Sequence, residues 1–378
     1  MLHILEATLG GTLRYMENVA KATEGSDVVS AFAYGMSRAD SRLSPFLDSV
    51  AKMGWASYAT DMRREISVRN DFTSLKQLRC AVAHFSPDLI HCHSSKAGAL
   101  GRAAVAMLPK APARVYSPHA LAAHLGGKYL RIEKMLSRHT DRFIAVSESE
   151  RKEIVDFSLA EEQSVSVVYP TVDCDYFNPS SREDARRALG IAWGPLVVSI
   201  GRLTAQKNPS AFLEIIQRLH ERRPDVRAIW VGSGAGEVDF PALIKAARME
   251  GVVRVADWQH DVRKYIAAAD VILSPSRFES FGYVAAEALS MNRPVVASDI
   301  TGTRDIMRGA LQEWLYPADQ PQRAAQLLFQ LLRSPDQAAT VGRFGRDEVK
   351  RRFSKEQMRD TLVEAYRRTL NPTLQPDA

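Results

Sequence analysis

The sequence has few of the features that define secreted, disulfide-stabilised or membrane-spanning proteins. It contains 3 cysteines among 378 residues, and their odd number and wide spacing argue against a disulfide framework or a structural zinc site. No apolar run approaches the roughly 20 residues that a membrane-spanning helix requires. The opening Met1-Leu-His-Ile-Leu-Glu meets charge too early for a signal peptide and is typical of a buried first strand. We therefore expect a cytoplasmic protein, in a compartment where thiols stay reduced.

The excess of positive charge is modest, with a formal net charge of +6, but it is concentrated in two places. Residues 110–142 carry seven Lys or Arg against two acidic residues, and a second cluster contains Arg63, Arg64 and Arg69. These stretches lack interleaved aromatic residues and any recognised motif, so we expect no nucleic-acid partner. They fit either solvated helix faces or a surface that meets anionic lipid head groups at the inner face of the cell membrane.

Short apolar strands alternate with helical stretches through both halves of the chain. This alternation predicts parallel sheets covered by helices on both faces, and the length suits two domains. Among single elements, the periodicity predicts strands over 2–5, 28–33 and 88–93, and helices over about 12–22, 71–85 and 209–222. A stretch rich in Pro, Asn and Ser near residues 169–181 marks a boundary. We predict an α/β protein with two doubly wound Rossmann-like domains, over 1–170 and 171–354, and a C-terminal helix over 355–378.

Two glutamates eight positions apart, Glu279 and Glu287, are the most informative feature of the chain. Glu279 lies on the loop between a short apolar strand and a helix that starts just after Ser280, Phe281 and Gly282, and Glu287 lies about one turn inside this helix. Open α/β sheets bind ligands beyond the carboxyl ends of their strands, and N–H groups at a helix start attract anions. Two carboxylates beside an anion site would repel the anion itself, so we expect them to bind hydroxyl groups next to it. The pattern indicates a diphosphate flanked by two polyhydroxylated rings, although spacing alone fits two unrelated surface glutamates.

A second pair of charged residues follows the strand predicted at 196–200. Arg202 and Lys207 project from the loop that begins at Gly201 and ends before Pro209. A guanidinium offers a bidentate fork and an ammonium a compact charge, a combination suited to a diphosphate. Surface ion pairing is the alternative interpretation of these two cations.

The segments Ser276-Arg-Phe-Glu-Ser-Phe-Gly, ending at Gly282, and Gly201-Arg-Leu-Thr-Ala-Gln-Lys resemble the signatures of retaining glycosyltransferases of the GT-B fold, family 4. The resemblance implies two domains facing across a cleft, with the C-terminal helix crossing back to the first domain. It implies that Glu279 contacts the transferred sugar, Glu287 holds the ribose, and Arg202 and Lys207 neutralise the departing diphosphate. The implied catalytic residues are His119, Arg202, Lys207 and Glu279. The implied donor-binding residues are Gly10, Gly11, Gly201, Gly232, Ser280, Phe281, Gly282 and Glu287.

The resemblance further implies a metal-independent, cofactor-free transferase that forms an α-linkage. The segment His93-Ser-Ser-Lys-Ala-Gly-Ala-Leu-Gly-Arg102 is similar to that of polymer-assembly members, which favours bacterial polysaccharide biosynthesis with a lipid-linked saccharide acceptor. The donor class is a nucleotide-sugar, with UDP-sugar favoured over GDP-sugar. Asp257-Trp-Gln-His-Asp261 departs from the family pattern, so the base stays open. A GT-B sugar-nucleotide epimerase and a non-catalytic nucleotide-sugar-binding protein are the alternatives.

Two further motifs have weaker functional interpretations. His91 and His93 lie two positions apart on one strand, so both side chains share a face, but no third metal ligand has a convincing spacing and a structural role is expected. Asp173 and Asp175 fit a metal-binding Asp-x-Asp motif, yet they fall in the expected linker and are interpreted as turn residues.

Overall fold

A computed structural model describes residues 1–106, 108–121, 126–191, 194–234 and 238–371. The chain divides into two compact units. The first contains Met1–Thr171 together with the segment from Lys355 onward, and the second contains Val172–Ser354. No helix among the described residues has both the length and the apolar character needed to span a bilayer.

The first unit is built on a seven-stranded sheet in the order β3-β2-β1-β4-β5-β6-β7, and every pair of neighbours is parallel. Its strands are β1 (Leu2–Leu5), β2 (Ala31–Gly35), β3 (Ala56–Thr60), β4 (Leu89–His93), β5 (Ala113–Ser117), β6 (Arg142–Ala145) and β7 (Val165–Val167). Its helices are α1 (Gly10–Thr23), α2 (Leu43–Lys52), α3 (Val68–Phe85), α4 (Ser95–Val105), α5 (Gly127–Ser137) and α6 (Glu148–Asp156).

The second unit repeats the design with a parallel six-stranded sheet in the order β10-β9-β8-β11-β12-β13. Its strands are β8 (Leu196–Ile200), β9 (Arg227–Val231), β10 (Val253–Ala256), β11 (Val271–Ser274), β12 (Val295–Ser298) and β13 (Leu315–Tyr316). Its helices are α7 (Arg182–Leu189), α8 (Pro209–Arg222), α9 (Phe240–Ala246), α10 (Arg263–Ala268), α11 (Tyr283–Ser290), α12 (Thr303–Ile306), α13 (Pro321–Arg333) and α14 (Pro335–Arg352).

The last helix, α15 (Lys355–Leu370), belongs to the first unit and packs against α1. Its buried face carries Met358, Leu362, Ala365 and Tyr366, which join one of the two hydrophobic clusters that cover the first sheet. Burial of these four side chains, at roughly 25 cal/mol per Å² of apolar surface, anchors the C-terminal segment to the first unit. The predicted return of the C-terminal helix is therefore confirmed.

Most of the predicted elements occur within a few residues of their expected bounds. The helix predicted over 209–222 is present with those bounds, and the Asn208 side chain accepts a hydrogen bond from the Ala211 N–H while Pro209 opens the first turn. The strand predicted over 28–33 instead occupies 31–35. The first helix begins at Gly10 rather than near Thr12, which places both glycines in its first turn.

Candidate functional site

The second sheet reverses its strand order between β8 and β11, which are hydrogen-bonded neighbours. At such a switch point the loops after the two strands run in opposite directions and leave a crevice beyond the strand ends. The loop after β8 carries Arg202 and Lys207, and the loop after β11 carries Glu279. The backbone ties these loops together, because the Arg277 N–H donates to the Gln206 carbonyl at 2.8 Å. The residues that the sequence analysis singled out in this half therefore share one edge of one sheet.

Close backbone packing explains two of the predicted glycines. Gly232 has a φ of +132°, and a Cβ placed there would lie 2.3 Å from the Gly201 carbonyl oxygen. No other residue fits this contact, so the turn after β9 can approach the β8 loop only through glycine. A Cβ on Gly201 would lie 3.1 Å from Cγ of Lys207, because the lysine stem runs directly across this position.

Lys207 and Glu279 form a direct ion pair through Nζ and Oε1. The same carboxylate oxygen accepts a hydrogen bond from the Ser276 hydroxyl at 2.7 Å. Both charged side chains are largely but not fully buried, at 20% and 12% exposure. Ser276 is a site residue to which the sequence analysis gave no role, although it lies three positions before Glu279 in the quoted motif.

Arg202 is the second cation of this loop. It is exposed, and among the residues that the structure describes no side chain pairs with its guanidinium. One cation of this loop is thus held by a carboxylate and the other is available to a ligand. Arg202 thus adds a positive charge to the loop that also carries the largely buried ion pair.

Helix α11 begins beside this crevice. Gly282 is its N-cap with a φ of +92°, and as a glycine it has no side chain with which to cap the first turn. Phe281 is buried and packs edge-on against Tyr283 and Phe353, with ring centroids 5.2 and 5.0 Å apart, while Ser280 is half-buried. The uncapped start of the helix supplies N–H groups and the positive end of a helix dipole.

A glycine that the sequence analysis did not assign also shapes this loop. Gly302 has a φ of +85°, and a Cβ there would lie 2.8 Å from the Glu279 carbonyl oxygen and 2.9 Å from the Phe281 nitrogen. The absence of a side chain lets the segment after β12 hold the Glu279–Phe281 backbone in place.

Glu287 lies one turn into α11, as predicted, and is almost fully buried. A buried carboxylate is retained only when hydrogen bonds or opposite charges compensate its desolvation. Glu287 is thus more deeply buried than Glu279, whose side chain keeps 12% exposure.

In the first unit the predicted Gly10-Gly11 turn is already occupied by protein groups. The Gly10 N–H donates to an Asp40 carboxylate oxygen at 3.0 Å, and Arg42 donates to the Gly10 carbonyl at 2.9 Å. Asp40 therefore stands where an anionic ligand of this amide would have to bind. Gly11 is exposed.

His119 follows β5 in a left-handed turn, with φ values of +53° at His119 and +86° at Ala120. Buried Glu150 fixes this turn, because its two carboxylate oxygens accept the N–H groups of Ala120 and Val146, each at 2.8 Å. The ring of His119 packs edge-on against Tyr15 of α1. Desolvation lowers the pKa of His119 to about 3, although part of the residue stays accessible.

The first sheet contains a histidine cluster that the sequence analysis only partly found. His3 of β1 pairs in register with His91 of β4, and one side-chain nitrogen from each of His3, His91 and His93 lies within 4.8 Å of the other two. Spacing along the chain offered no convincing third ligand beside the His91–His93 pair, whereas strand pairing supplies His3 from a distant part of the chain. Burial lowers the pKa of His3 to about 3 and holds those of His91 and His93 well below the usual range.

The remaining expectations concern the cysteines and the linker. Cys80, Cys92 and Cys174 are all free thiols. Asp173 accepts a hydrogen bond from the Tyr176 N–H at 2.9 Å, and its carbonyl accepts one from the Phe177 N–H. Asp173 is therefore a turn residue, as expected.

Comparison with known proteins places this architecture in a family. The model for "Glycosyltransferase Family 4" matches residues 9–176, and the model for "Glycosyl transferases group 1" matches residues 194–334. A D-inositol 3-phosphate glycosyltransferase of Segniliparus rotundus is 31% identical over 245 residues, covering 63% of this chain and 54% of that protein. Its counterpart in Gordonia bronchialis is 30% identical over 304 residues, covering 75% and 66%. The chain thus spans between about half and two thirds of the length of these relatives.

Solved structures share the fold over almost the whole chain. Anabaena Alr3699/HepE in complex with UDP-glucose has a TM-score of 0.81 at 19% identity, with 97% of this chain and 99% of that chain covered. The chain belongs to the group 1, family 4 glycosyltransferases and has their GT-B fold. The family and the fold class that the motifs predicted are confirmed.

Proposed function

We propose that this protein is a retaining glycosyltransferase that moves a sugar from a nucleotide-sugar donor to a saccharide acceptor and forms an α-linkage. The observation that carries the proposal is the convergence of Arg202, Lys207, Glu279 and the start of α11 at the switch point of the second sheet. Departure of a nucleoside diphosphate leaves negative charge on the diphosphate and positive charge on the sugar. Fixed cations and helix-start N–H groups stabilise the first of these charges without reorganising.

The ion pair between Lys207 and Glu279 gives each residue a defined task in this reaction. An incoming diphosphate competes with Glu279 for the Lys207 ammonium, and Arg202, on the same loop, adds a second cation. The Glu279 carboxylate is then available to accept hydroxyl groups of the transferred sugar, while Ser276 holds one of its oxygens. Glu287 in its buried position serves the ribose hydroxyls. No metal ion is needed in this scheme, because protein cations neutralise the leaving group.

The donor we favour is a UDP-sugar over a GDP-sugar. HepE, which shares the fold, has been solved with UDP and with UDP-glucose. Gly201 and Gly232 line the donor site in this proposal, and Ser280, Phe281 and Gly282 supply the helix start. A thermal-shift comparison of UDP-, GDP- and ADP-sugars tests the base, and stabilisation by GDP-sugars alone would reject the preference.

For the first unit we propose roles for three residues. His119 contacts the transferred sugar, and Gly10 and Gly11 open the helix that follows β1. The contact between Gly10 and Asp40 means that the amide of Gly10 reaches a ligand only after Asp40 moves aside. An Asp40→Asn variant, which lacks the negative charge, is therefore expected to bind the donor at least as tightly as the unmodified protein.

We place the acceptor on a lipid carrier, in bacterial polysaccharide biosynthesis at the inner face of the membrane. WaaG, a fold neighbour with a TM-score of 0.72 and 15% identity, is a glycosyltransferase of lipopolysaccharide biosynthesis. Helices α3 and α5 both pack against α4, and together with the residues that flank them they expose apolar side chains among cations. The exposed apolar residues are Ile66, Val68, Phe72, Ile132 and Met135, and the exposed cations are Arg63, Arg64, Arg69, Lys128, Arg131, Lys134 and Arg138.

Co-sedimentation with vesicles tests this membrane surface. Binding to anionic vesicles that weakens with salt, and that an Arg131→Glu, Lys134→Glu double variant loses, supports the proposal. A matched Lys350→Glu, Arg351→Glu variant, on α14 of the second unit, should bind like the unmodified protein. Equal binding to neutral and anionic vesicles would reject a charge-guided surface.

The catalytic proposal is tested by removing its cations. Arg202→Ala should lower kcat/KM by about 100-fold or more, by analogy with the loss of one oxyanion donor. Arg227→Ala is the matched control, because Arg227 is an exposed arginine at the amino end of β9, the opposite edge of the sheet. Unchanged turnover in an Arg202→Ala, Lys207→Ala variant would refute the assigned roles. An assay without acceptor separates the transferase from an epimerase, which would alter the donor's stereochemistry.

A further inference from the structure

The buried histidines of the first unit form a continuous chain of ring-to-ring hydrogen bonds that ends at His119. Nδ1 of His3 lies 3.1 Å from Nε2 of His93, and Nδ1 of His93 lies 3.2 Å from Nε2 of His119. His3 stacks on Trp55 with the two rings nearly parallel, which fixes the plane in which its nitrogens point. Three strands that are far apart in sequence thus connect a deeply buried ring to the accessible edge of the sheet.

His91 lies beside this chain but is not part of it. Its Nδ1 is 2.8 Å from the Tyr366 hydroxyl and its Nε2 is 2.9 Å from the Ser117 hydroxyl, so both of its nitrogens are already bonded. Both nitrogens of His93 are engaged as well. A metal ion would need lone pairs from all three histidines of the cluster and would break several of these bonds. The hydrogen-bonded chain therefore accounts for the cluster better than a metal site does.

The two ends of this series of hydrogen-bonded rings decide which ring nitrogens carry the protons. Each ring is neutral, because burial disfavours the charged form, and so each ring carries one N–H. Two arrangements satisfy both contacts, with all protons on Nδ1 or all on Nε2. In the second arrangement Nε2 of His3 would be an N–H, yet this nitrogen is buried and has no hydrogen-bond partner within the described part of the chain. Among buried main-chain groups, an N–H without an acceptor is rarer than an under-satisfied acceptor. The same preference applied to the imidazole ring favours the first arrangement.

We propose that His3 and His93 are positioning residues that keep the proton of His119 on Nδ1, so that His119 presents an N–H donor to a bound ligand. Among the described residues none bonds Nδ1 of His119, and this atom is not sealed off as Nε2 of His3 is. The recipient is an electronegative oxygen, such as a hydroxyl oxygen of the transferred sugar. This last assignment rests on the proposed function, whereas the tautomer itself does not.

Nuclear magnetic resonance of the full-length protein labelled with ¹⁵N-histidine measures the tautomers directly, because protonated and unprotonated ring nitrogens have well-separated shifts. We expect His3, His93 and His119 each to carry the proton on Nδ1. A proton on Nε2 of His119 in the unmodified protein would overturn the proposal, and so would stoichiometric zinc in the purified protein. This readout is independent of any enzymatic activity.

A pair of variants at His3 separates positioning from simple packing. His3→Phe keeps a ring on Trp55 but removes the first N–H donor of the hydrogen-bonded histidines. His93 and His119 should then populate both tautomers. The kcat should fall in proportion to the lost population of His119 with its proton on Nδ1. His3→Asn keeps an amide N–H close to the place of Nδ1 and should restore both the tautomer and kcat. His139→Gln, an exposed histidine of the same unit, is the control.

The two proposals fail in distinguishable ways. If the spectrum shows the expected tautomers but no nucleotide-sugar supports transfer, the proposed function fails and the hydrogen-bonded chain stands. If transfer occurs but His3→Phe changes neither the His119 tautomer nor kcat, the positioning role is refuted. If His3→Phe does not fold, the spectrum of the unmodified protein decides.

Discussion

Acid should destabilise the first unit through its buried histidines. His3, His91 and His93 have no solvent exposure, and desolvation keeps the pKa of each well below that of a histidine in an unfolded chain. As the pH falls below about 6.5, these histidines bind protons in the unfolded chain but stay unprotonated in the folded protein. The free energy of unfolding must therefore fall as the pH falls, and the loss continues until the folded rings themselves are protonated, at about pH 3 for His3.

The expected loss is large. A histidine with an unfolded pKa of about 6.5 that stays neutral in the folded protein costs about 2 kcal/mol of stability between about pH 7 and pH 5. Three such rings together cost about 6 kcal/mol, which is comparable with the whole stability of many domains. His119, which is partly accessible, adds a smaller contribution of the same sign. Burial raises the pKa of Glu6 and Glu17, and these two carboxyls act in the opposite direction.

Comparison of variants isolates the histidine effect from that of the carboxyls. Unfolding by urea at several values between pH 5 and pH 7 gives the slope of stability against pH, which counts protons taken up on unfolding. His3→Phe should lower this slope by close to one proton near pH 5, or about 1.4 kcal/mol per pH unit, and by progressively less towards pH 7. His84→Gln, at an exposed position on α3, should leave the slope unchanged.

The slope, rather than the absolute stability, is the decisive quantity. His3→Phe also changes packing against Trp55, but a packing change is the same at every pH and does not alter the slope. Identical slopes for the unmodified protein and His3→Phe between pH 5 and pH 6 would show that His3 is charged in the folded state, and the reasoning from burial would fail.

Two further predictions concern close packing and a buried charge. Gly232→Ala should weaken donor stabilisation in a thermal-shift assay, because its Cβ would meet the Gly201 carbonyl at 2.3 Å, whereas Gly251→Ala meets nothing within 4 Å and should behave normally. Glu133→Gln should lower the unfolding free energy by about 3–5 kcal/mol in urea titrations, because it leaves the fully buried Arg102 guanidinium without its counter-charge. A loss below about 1 kcal/mol would show that solvent reaches Arg102.

The sequence predicts the donor half of the site well because its signals are local. A strand, a turn and a helix start can each be identified within about ten residues, and the chain places Arg202, Lys207, Glu279 and Glu287 on such segments. Parallel strands align their carboxyl ends, so residues after different strands meet without further information. The order of strands, with β8 next to β11, is what brings these two particular loops together.

Elements with weak local patterns were not predictable in the same way. Helix α2 and strand β3 were not foreseen, and the pattern in β3 explains this, because most of its residues are exposed and its sequence Ala-Ser-Tyr-Ala-Thr has little alternation. Strand β2 was displaced by three residues, since Val28 and Val29 extend the apolar run although Val29 is 80% exposed. Tertiary pairing with β1 decides which part of such a run becomes strand.

The histidine cluster shows which information only strand pairing supplies. His91 and His93 share a face because of the two-residue period of a strand, but His3 reaches them through the register between β1 and β4. A shift of one residue in that register would turn His3 to the opposite face of the sheet and leave the pair alone. Spacing along the chain therefore cannot reveal a cluster of this kind, whereas a buried polar residue in the middle of the first strand is a signal that a partner must exist.

The Lys207–Glu279 ion pair shows that a sequence motif does not reveal which partner a charged side chain faces. A motif places two charges in one crevice but does not tell whether they face a ligand or each other. Here the stem of Lys207 passes over Gly201, which aims its ammonium at Glu279, while Arg202 on the same loop has no described partner. At an effective dielectric constant of about 20, opposite charges 4 Å apart attract by roughly 4 kcal/mol. A ligand anion must offset an attraction of this kind before it can bind Lys207. Binding to Arg202 carries no such cost. The two cations of one motif should therefore differ in their contribution to binding, and only the geometry distinguishes them.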